Sequence, residues 1–218
     1  METWEPHEIL TWAVETYGKK LTMATAFGAE GCVLLSMLSE IPGGRDFRIF
    51  NLETGYQFPE TLELRERIRE QYGIEVEYVR APESVEAMEQ RLGGPIYGTN
   101  PDECCRIRKV APLKQAVEGY EAWITAIRRD QTSHRAQSGI VEWDRKFNLV
   151  KINPLANWTR EDIWTYILVN EVPYNPLHDR GYTSIGCWPC TRAVAAGEDE
   201  RAGRWSTSAK LECGLHTR

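Results

Sequence analysis

Residues 21–55 read LTMATAFGAEGCVLLSMLSEIPGGRDFRIFNLETG, and this stretch decides the fold class. Positions 21–26 form a short apolar run that closes on Gly28. Positions 30–38 then have helical spacing, and positions 47–52 read as a second strand that stops at Glu53-Thr54-Gly55. Strand, helix and strand in this order form a βαβ unit. The rhythm continues outward. Positions 59–72 suit a charged amphipathic helix, positions 74–79 alternate with period two, positions 122–127 read as a fourth strand and 149–152 as a short fifth. The prediction is an α/β fold, with an open, mostly parallel sheet and helices on both faces. Upstream, Ile9, Leu10, Trp12, Ala13 and Val14 suit an amphipathic surface helix.

Two further helix starts are marked. Asn100-Pro101-Asp102-Glu103 offers an N-cap, a Pro at the first helical position and a carboxylate at the capping-box position. It places Cys104 and Cys105 in the first turns, and Pro112 is expected to break or kink that helix. A second start lies in Asn157-Trp158-Thr159-Arg160-Glu161-Asp162, with Ile163, Trp164, Ile167 and Leu168 expected on one face. Beyond Val169 the chain reads as loop, and 197–218 as a polar, mobile tail. The expected division is an α/β domain over 1–196 and a C-terminal tail over 197–218.

Composition excludes several classes. With 42% hydrophobic and 27% charged residues the chain is globular, not disordered. A net charge of −6 argues against a general nucleic-acid binder, which needs a basic footprint. No apolar run is long enough to span a membrane, and the acidic N-terminal stretch does not read as a secretory signal, so a cytoplasmic protein is expected. Eight Trp residues are more than a bare nucleotide-binding domain needs, and some are expected to line a pocket.

In such a chain, six cysteines read first as metal ligands or reactive thiols. Cys104-Cys105 and Cys187-Trp188-Pro189-Cys190 bring four thiols together in two tight pairs. Adjacent side chains on a helix diverge by roughly a third of a turn and reach one zinc ion poorly. A cubane presents separate irons, so the pattern favours [4Fe–4S] over zinc. The alternatives are buried free thiols, or a thioredoxin-type redox pair, which usually opens a helix rather than sitting in a loop. Cys213, in Glu212-Cys213-Gly214-Leu215-His216, has Arg201, Arg204, Lys210, His216 and Arg218 nearby in sequence. Cationic neighbours favour a thiolate, so Cys213 is the candidate nucleophile. Cys32, within an apolar run, reads as packing.

Three polar loops follow predicted strands at the edge where open α/β sheets bind ligands. The first holds Thr25, Phe27 and Gly28, whose backbone N–H groups suit an anion, though it lacks the Lys-Ser/Thr ending of a Walker A loop. The second is Glu53-Thr54-Gly55, and the third opens with Arg128 and Arg129.

These segments resemble a known family. NLETGYQFPET, CCRIRKVAPL, AIRRDQTSHRA, NPLANWTREDIWTYI, VPYNPLHDRGYTSIGCWPCTR, GEDERAGRW and ECGLH together resemble the bacterial assimilatory adenylyl-sulfate reductases, a branch of the phosphoadenylyl-sulfate reductase family. The resemblance implies an adenine nucleotide α-hydrolase-like fold related to the PP-loop pyrophosphatases. It implies a [4Fe–4S] cluster on Cys104, Cys105, Cys187 and Cys190, and Cys213 as nucleophile on a closing tail. It implies Lys109 between cluster and substrate, with Arg201, Arg204 and His216 holding sulfate and phosphate. Glu53 stands where the family usually has Asp, Ala126 where Gly is usual, and Ser206-Thr207-Ser208 where an aromatic run is usual.

The implied reaction is reduction of adenosine 5′-phosphosulfate to sulfite and AMP through an S-sulfonated Cys213. The implied electron donor is a separate thioredoxin, because the chain carries no fused one. A homo-oligomer is allowed; neither nucleic acid nor a membrane is an expected partner. The nearest rival is a reductase of 3′-phosphoadenosine 5′-phosphosulfate, or of both substrates. A PP-loop tRNA thiolase would want an SGGxDS loop and a basic surface. An iron–sulfur redox sensor would explain the four cysteines but not ECGLH.

Overall fold

The computed structural model describes residues 1–206, 208, 210 and 212–216, and in it six strands form one sheet. They are β1 (Leu21–Ala24), β2 (Arg48–Leu52), β3 (Val76–Val79), β4 (Ala122–Ile124), β5 (Val141–Asp144) and β6 (Leu149–Ile152), in the order β3-β2-β1-β4-β6-β5. All neighbours are parallel except β5 and β6. The chain winds outward from β1 through β2 to β3, then returns to place β4 on the other side of β1. This reversal opens a crevice at the carboxyl ends of β1 and β4.

Helices cover both faces, as the sequence predicts. On one face, α1 (Pro6–Tyr17), α2 (Ala29–Glu40), α3 (Pro59–Tyr72) and α7 (Arg160–Val169) share a core with Leu21, Met23, Ile49, Ala122 and Ile124 of the strands. On the other, α6 (Ala111–Ala116) packs Leu113 and Ala116 against Phe50, Leu52, Trp123 and Leu149. The alternation of side chains along each strand feeds the two cores. Helix α2 lies deepest: Cys32, Val33, Leu34, Leu35 and Leu38 are fully buried, which is why its apolar residues run almost without interruption. Leu34→Ala should therefore destabilise the protein by about 3 kcal/mol, through lost transfer energy and a residual cavity. Urea titration would show it as a lower midpoint with an unchanged slope.

Several expectations are corrected. The first and fourth strands end at Ala24 and Ile124, two and three residues short of the predicted ends, because the chain there leaves the sheet to line the crevice. Strand β5 went unpredicted: Val141 and Trp143 alternate toward solvent, so the segment presents no core-facing apolar stripe. Pro112 does not end its helix. Helix α5 (Pro101–Cys105) continues through a π-helical turn at Arg106–Val110 into α6. The wider turn, with Ala111 N–H donating to Arg106 C=O, accommodates a residue that has no N–H of its own. Asn100 caps α5 by accepting from Glu103 N–H at 3.1 Å, but the Glu103 carboxylate pairs with Arg106 instead of closing the box. Helix α7 starts within the stretch 157–162, as expected, with Thr159 and Asp162 closing a capping box. Leu168 is 71% exposed and does not share the buried face of Ile163 and Ile167. Among the described residues no helix is long and apolar enough to cross a membrane.

A candidate active site at the switch point

A cavity of about 210 Å³ opens at the carboxyl ends of β1, β2 and β4. The loops after these strands form its floor, the segment 183–187 forms a wall, and Glu200, Arg201, Arg204, Glu212, Cys213, Leu215 and His216 cover it. Of the residues singled out from sequence, Thr25, Gly28, Thr54, Lys109, Arg128, Arg201, Arg204, Cys213 and His216 line this one space. The loop after β1 needs its second glycine: a Cβ on Gly31 would sit 2.7 Å from Thr25 Oγ1, which accepts from Phe27 N–H at 3.1 Å.

Four predicted positions stand outside the lining. Phe27 turns its ring into the core at 1% exposure. Glu53 accepts from Gly55 N–H at 2.6 Å and from Arg80 Nε at 2.9 Å, so it shapes its turn rather than meeting a ligand. Gly55, at φ +79°, lies so close to Val85 that a Cβ would clash at 2.3 Å. Arg129 points away, to Ser138 C=O at 2.7 Å and to Glu2 at 2.9 Å. Its neighbour Arg128 points in, 1% exposed, and is held by Glu30, by Asp130 at 2.8 Å and by Glu200 at 2.9 Å.

The covering segment is docked by specific contacts. Trp205 N–H donates to Cys190 C=O at 3.0 Å, and Lys210 Nζ to Pro101 C=O at 3.2 Å and Asp102 at 2.5 Å. Lys146 Nζ donates to Gly214 C=O at 2.5 Å, and the His216 ring stacks on Trp123 at 5.9 Å. Trp205, 4% exposed, shares one apolar cluster with Cys105 and Cys213, a role the sequence assigned to no residue. Of the positions singled out earlier, Thr207 and Arg218 lie outside the described residues.

Positive charge concentrates here. Burial works against the Lys109 ammonium, but the thiols of Cys187, Cys105 and Cys213 around it hold its pKa above the ordinary value. Burial, and then repulsion from Arg135, push Arg201 down to about 10. Burial likewise opposes the Glu212 carboxylate, yet Arg135 and Arg201 hold it at about 2. Burial drives the His216 imidazole well below its ordinary value, reinforced by Arg135 and Lys151, so it is neutral at pH 7. Burying the Arg201 guanidinium beside that of Arg135 favours a bound anion at this point of the cavity.

Unpartnered atoms make the same point. The buried side-chain N and O atoms lacking a hydrogen bond, among the described residues, belong to Asn51, Gln57, Trp123, His178, Arg201, Arg204 and His216. Every one of these residues lines the cavity. Orphaned buried polar atoms are costly, so their confinement to one cavity marks a ligand site. Asn51, Gln57, Trp123, Arg135, His178 and Glu212 were not assigned from sequence. Arg135 and Glu212 lay within the quoted AIRRDQTSHRA and ECGLH segments, whereas nothing local distinguishes Trp123 from a core residue.

Cys104, Cys105, Cys187 and Cys190 line a second, smaller cavity, and Lys109 borders both. Burial pushes Cys104 up to about 12, with Cys105, Cys187 and Cys190 adding repulsion. Burial also raises Cys105 and Cys190. Thr54 Oγ1 lies 3.2 Å from Cys187 Sγ. Among the described residues no three His, Cys, Asp or Glu side chains are set to hold a metal ion as they stand. Cys32 lines neither cavity; burial pushes it up to about 12 and its thiol donates to Phe27 C=O.

Residues 20–193 match the phosphoadenosine phosphosulfate reductase domain. The chain is 47% identical to phosphoadenosine 5′-phosphosulfate reductase of Gloeobacter violaceus, over 98% of this chain and 90% of that one. It is 46% identical to adenosine 5′-phosphosulfate reductase of Shouchella clausii, over 96% of this chain and 86% of that one. Among solved structures it resembles phosphoadenylyl-sulfate reductase from Candida auris in its phosphate complex, with a TM-score of 0.76 and 31% identity over 88% of this chain and 92% of that one. The fold is shared with FMN adenylyltransferase of Candida glabrata, at a TM-score of 0.61 and 13% identity over 98% of this chain and 74% of that one.

Proposed function

This chain belongs to the phosphoadenosine phosphosulfate reductase family, and from that premise we propose that it reduces adenosine 5′-phosphosulfate to sulfite and AMP in sulfate assimilation. The observation that carries the reading is the convergence of Cys213, Lys109, Arg201, Arg204 and His216 on a cavity at the sheet's switch point. The nucleotide lies across the strand ends with its sulfo group toward Cys213. The Cys213 thiolate attacks the sulfur; an S–S bond forms, the S–O bond to phosphate breaks, and AMP leaves with the electron pair. Lys109, Arg201 and Arg204 offset the charge on the sulfo group and departing phosphate. A dithiol protein of the thioredoxin class then attacks Cys213 Sγ, expelling sulfite with the bonding pair. Its second thiol resolves the mixed disulfide, so sulfur gains two electrons and the dithiol loses two. The proposed setting is the cytoplasm, where the six unpaired cysteines stay reduced.

The four remaining cavity-lining cysteines fit a [4Fe–4S] cluster. Four thiols lining one small cavity can each take a separate iron, and a cubane spaces its thiolates more widely than one ion does. Cys104, Cys105, Cys187 and Cys190 would hold it, and when bound it would supply a fixed local charge next to Lys109. Thiol chemistry alone accounts for both electrons.

The name of the Gloeobacter relative keeps a second reading, the 3′-phosphorylated nucleotide. Glu30 argues against it. Its carboxylate lines the cavity at the N-terminus of α2, where an added phosphate would otherwise be welcome. Pure protein with reduced thioredoxin should convert adenosine 5′-phosphosulfate to sulfite with a higher kcat/KM than its 3′-phosphorylated form. Glu30→Gln should narrow that preference by about threefold, less than an unpaired like charge would give, because the carboxylate is paired with Arg128. No sulfite from either nucleotide rejects the function, and a preference for the phosphorylated form rejects the substrate assignment.

A further inference from the structure

The polar atoms left unpartnered around the cavity are sorted by chemistry. Beside the carboxyl end of β2, Asn51 Nδ2 donates to Thr25 C=O at 2.8 Å and Gln57 Nε2 to Leu52 C=O at 3.2 Å. What each leaves free is its side-chain oxygen, an acceptor. Under the covering segment the free atoms include the Nε–H donors of Arg201 and Arg204 and the indole Nε1–H of Trp123. Acceptors at one end suit a base or ribose, which can donate; donors at the other end suit an anion.

His178 Nε2 and His216 Nδ1 are also unpartnered, as imidazole nitrogens that can donate or accept, and Trp123 is the neutral donor carried by the sheet. It sits in the middle of β4, facing the opposite side of the sheet from Ala122 and Ile124, and is 1% exposed. Its ring is clamped edge-on by Phe147 at 5.6 Å and stacked on His216 at 5.9 Å with planes 19° apart. Leu215 packs against both the cluster that contains Trp123 and the cluster that contains Cys213, and the indole and the nucleophile line the same cavity. Burying an indole N–H without an acceptor is destabilising, and here it is done by a side chain that has no freedom to turn away.

The geometry points to Trp123 as a sulfo-group-binding residue: its Nε1–H donates to a sulfo oxygen while the sulfur is presented to Cys213. The assignment rests on the sulfonucleotide reading above. The cationic side chains supply attraction from long, flexible stems, whereas a donor fixed on a central strand supplies direction. It belongs to a central strand of the sheet and not to the segment that carries Arg201, Arg204 and Cys213.

Affinities of adenosine 5′-phosphosulfate and of AMP are measured by calorimetry on the full chain carrying Cys213→Ser, purified anaerobically, so that no turnover occurs. Adding Trp123→Phe keeps an aromatic ring against Phe147 and His216 and removes the N–H together with the second ring of the indole, and the AMP arm reports what the lost volume alone does. Adenosine 5′-phosphosulfate should then bind about tenfold more weakly, the loss typical of one hydrogen bond to a charged group, while AMP binding changes less than about twofold. Equal losses for the two ligands, or no loss, overturn the assignment. Should Trp123→Phe not fold, the parent chain labelled with ¹⁵N-tryptophan decides: an indole N–H resonance moves downfield with adenosine 5′-phosphosulfate and not with AMP, and a spectrum identical with both ligands overturns it. Failure of the sulfonucleotide reading is visible separately, as a parent that does not bind adenosine 5′-phosphosulfate at all, and the Trp123 assignment falls with it.

Discussion

Cys213→Ser is expected to lower sulfite formation by on the order of 10³-fold or more while leaving the fold and the other cysteines intact. A serine hydroxyl is barely ionised near neutrality and is a poor nucleophile toward sulfur, so the first bond cannot form. The side chain is nearly isosteric, and its neighbours Trp205 and Leu215 lose little contact. Nucleotide binding should persist, because Arg201, Arg204 and the strand-end loops are untouched. In the unsubstituted protein, adenosine 5′-phosphosulfate without a dithiol should leave one sulfo group covalently on Cys213. Intact-mass measurement followed by peptide mapping would find it there. An adduct on Cys32, or turnover by Cys213→Ser at the original rate, would refute the mechanism. Cys32 is a demanding control, since its thiol is fully buried and pushed up to about 12 by burial.

The second large effect separates ligand cysteines from the nucleophile. Anaerobically purified protein should be brown and carry about four irons per chain, and Cys104→Ser or Cys190→Ser should lose iron and activity together. Cys213→Ser should keep its iron. The contrast follows from position: Cys104 and Cys190 line the smaller cavity, whereas Cys213 lines the larger one, with Lys109 bordering both. Activity should fall even though neither substituted thiol meets the nucleotide. Cys190 accepts at its carbonyl the Trp205 N–H that docks the covering segment, and α5 receives Lys210 from it. Disturbing either cysteine thus loosens the segment that presents Cys213. Stoichiometric zinc without iron would defeat the cluster assignment, and full activity in an iron-free Cys104→Ser protein would defeat the coupling.

Local order determined much of this molecule. Helix α3 matches the predicted span of 59–72 at both ends, because Pro59 starts it and Gly73, in the left-handed region at φ +64°, stops it. The five predicted strands are all present and parallel to one another: the central ones are apolar runs buried on both faces, and the edge strand β3 shows as an alternation of period two. The divergence of Cys104 and Cys105 was also legible. On a helix they must point apart, and Cys104 packs with Tyr56, Met88 and Cys187 while Cys105 packs with Trp205 and Cys213.

Side-chain direction across the crevice was decided only in three dimensions. Arg128 and Arg129 are equivalent in sequence, but Arg128 is extended at φ −114° and ψ 146°, so the two side chains leave opposite sides of the backbone. One enters the cavity to meet Glu30 and Glu200, and the other crosses to Glu2. Strand β5 escaped notice because its apolar residues face solvent, and only its pairing with β6 identifies it. Trp123 reads as one more apolar residue of a buried strand. Its free indole N–H has meaning only because Phe147 and His216, 24 and 93 positions further along the chain, close around the ring and supply no acceptor. Periodicity reports which face of an element is buried; what that face meets depends on contacts between segments far apart in the chain, and no local pattern encodes them.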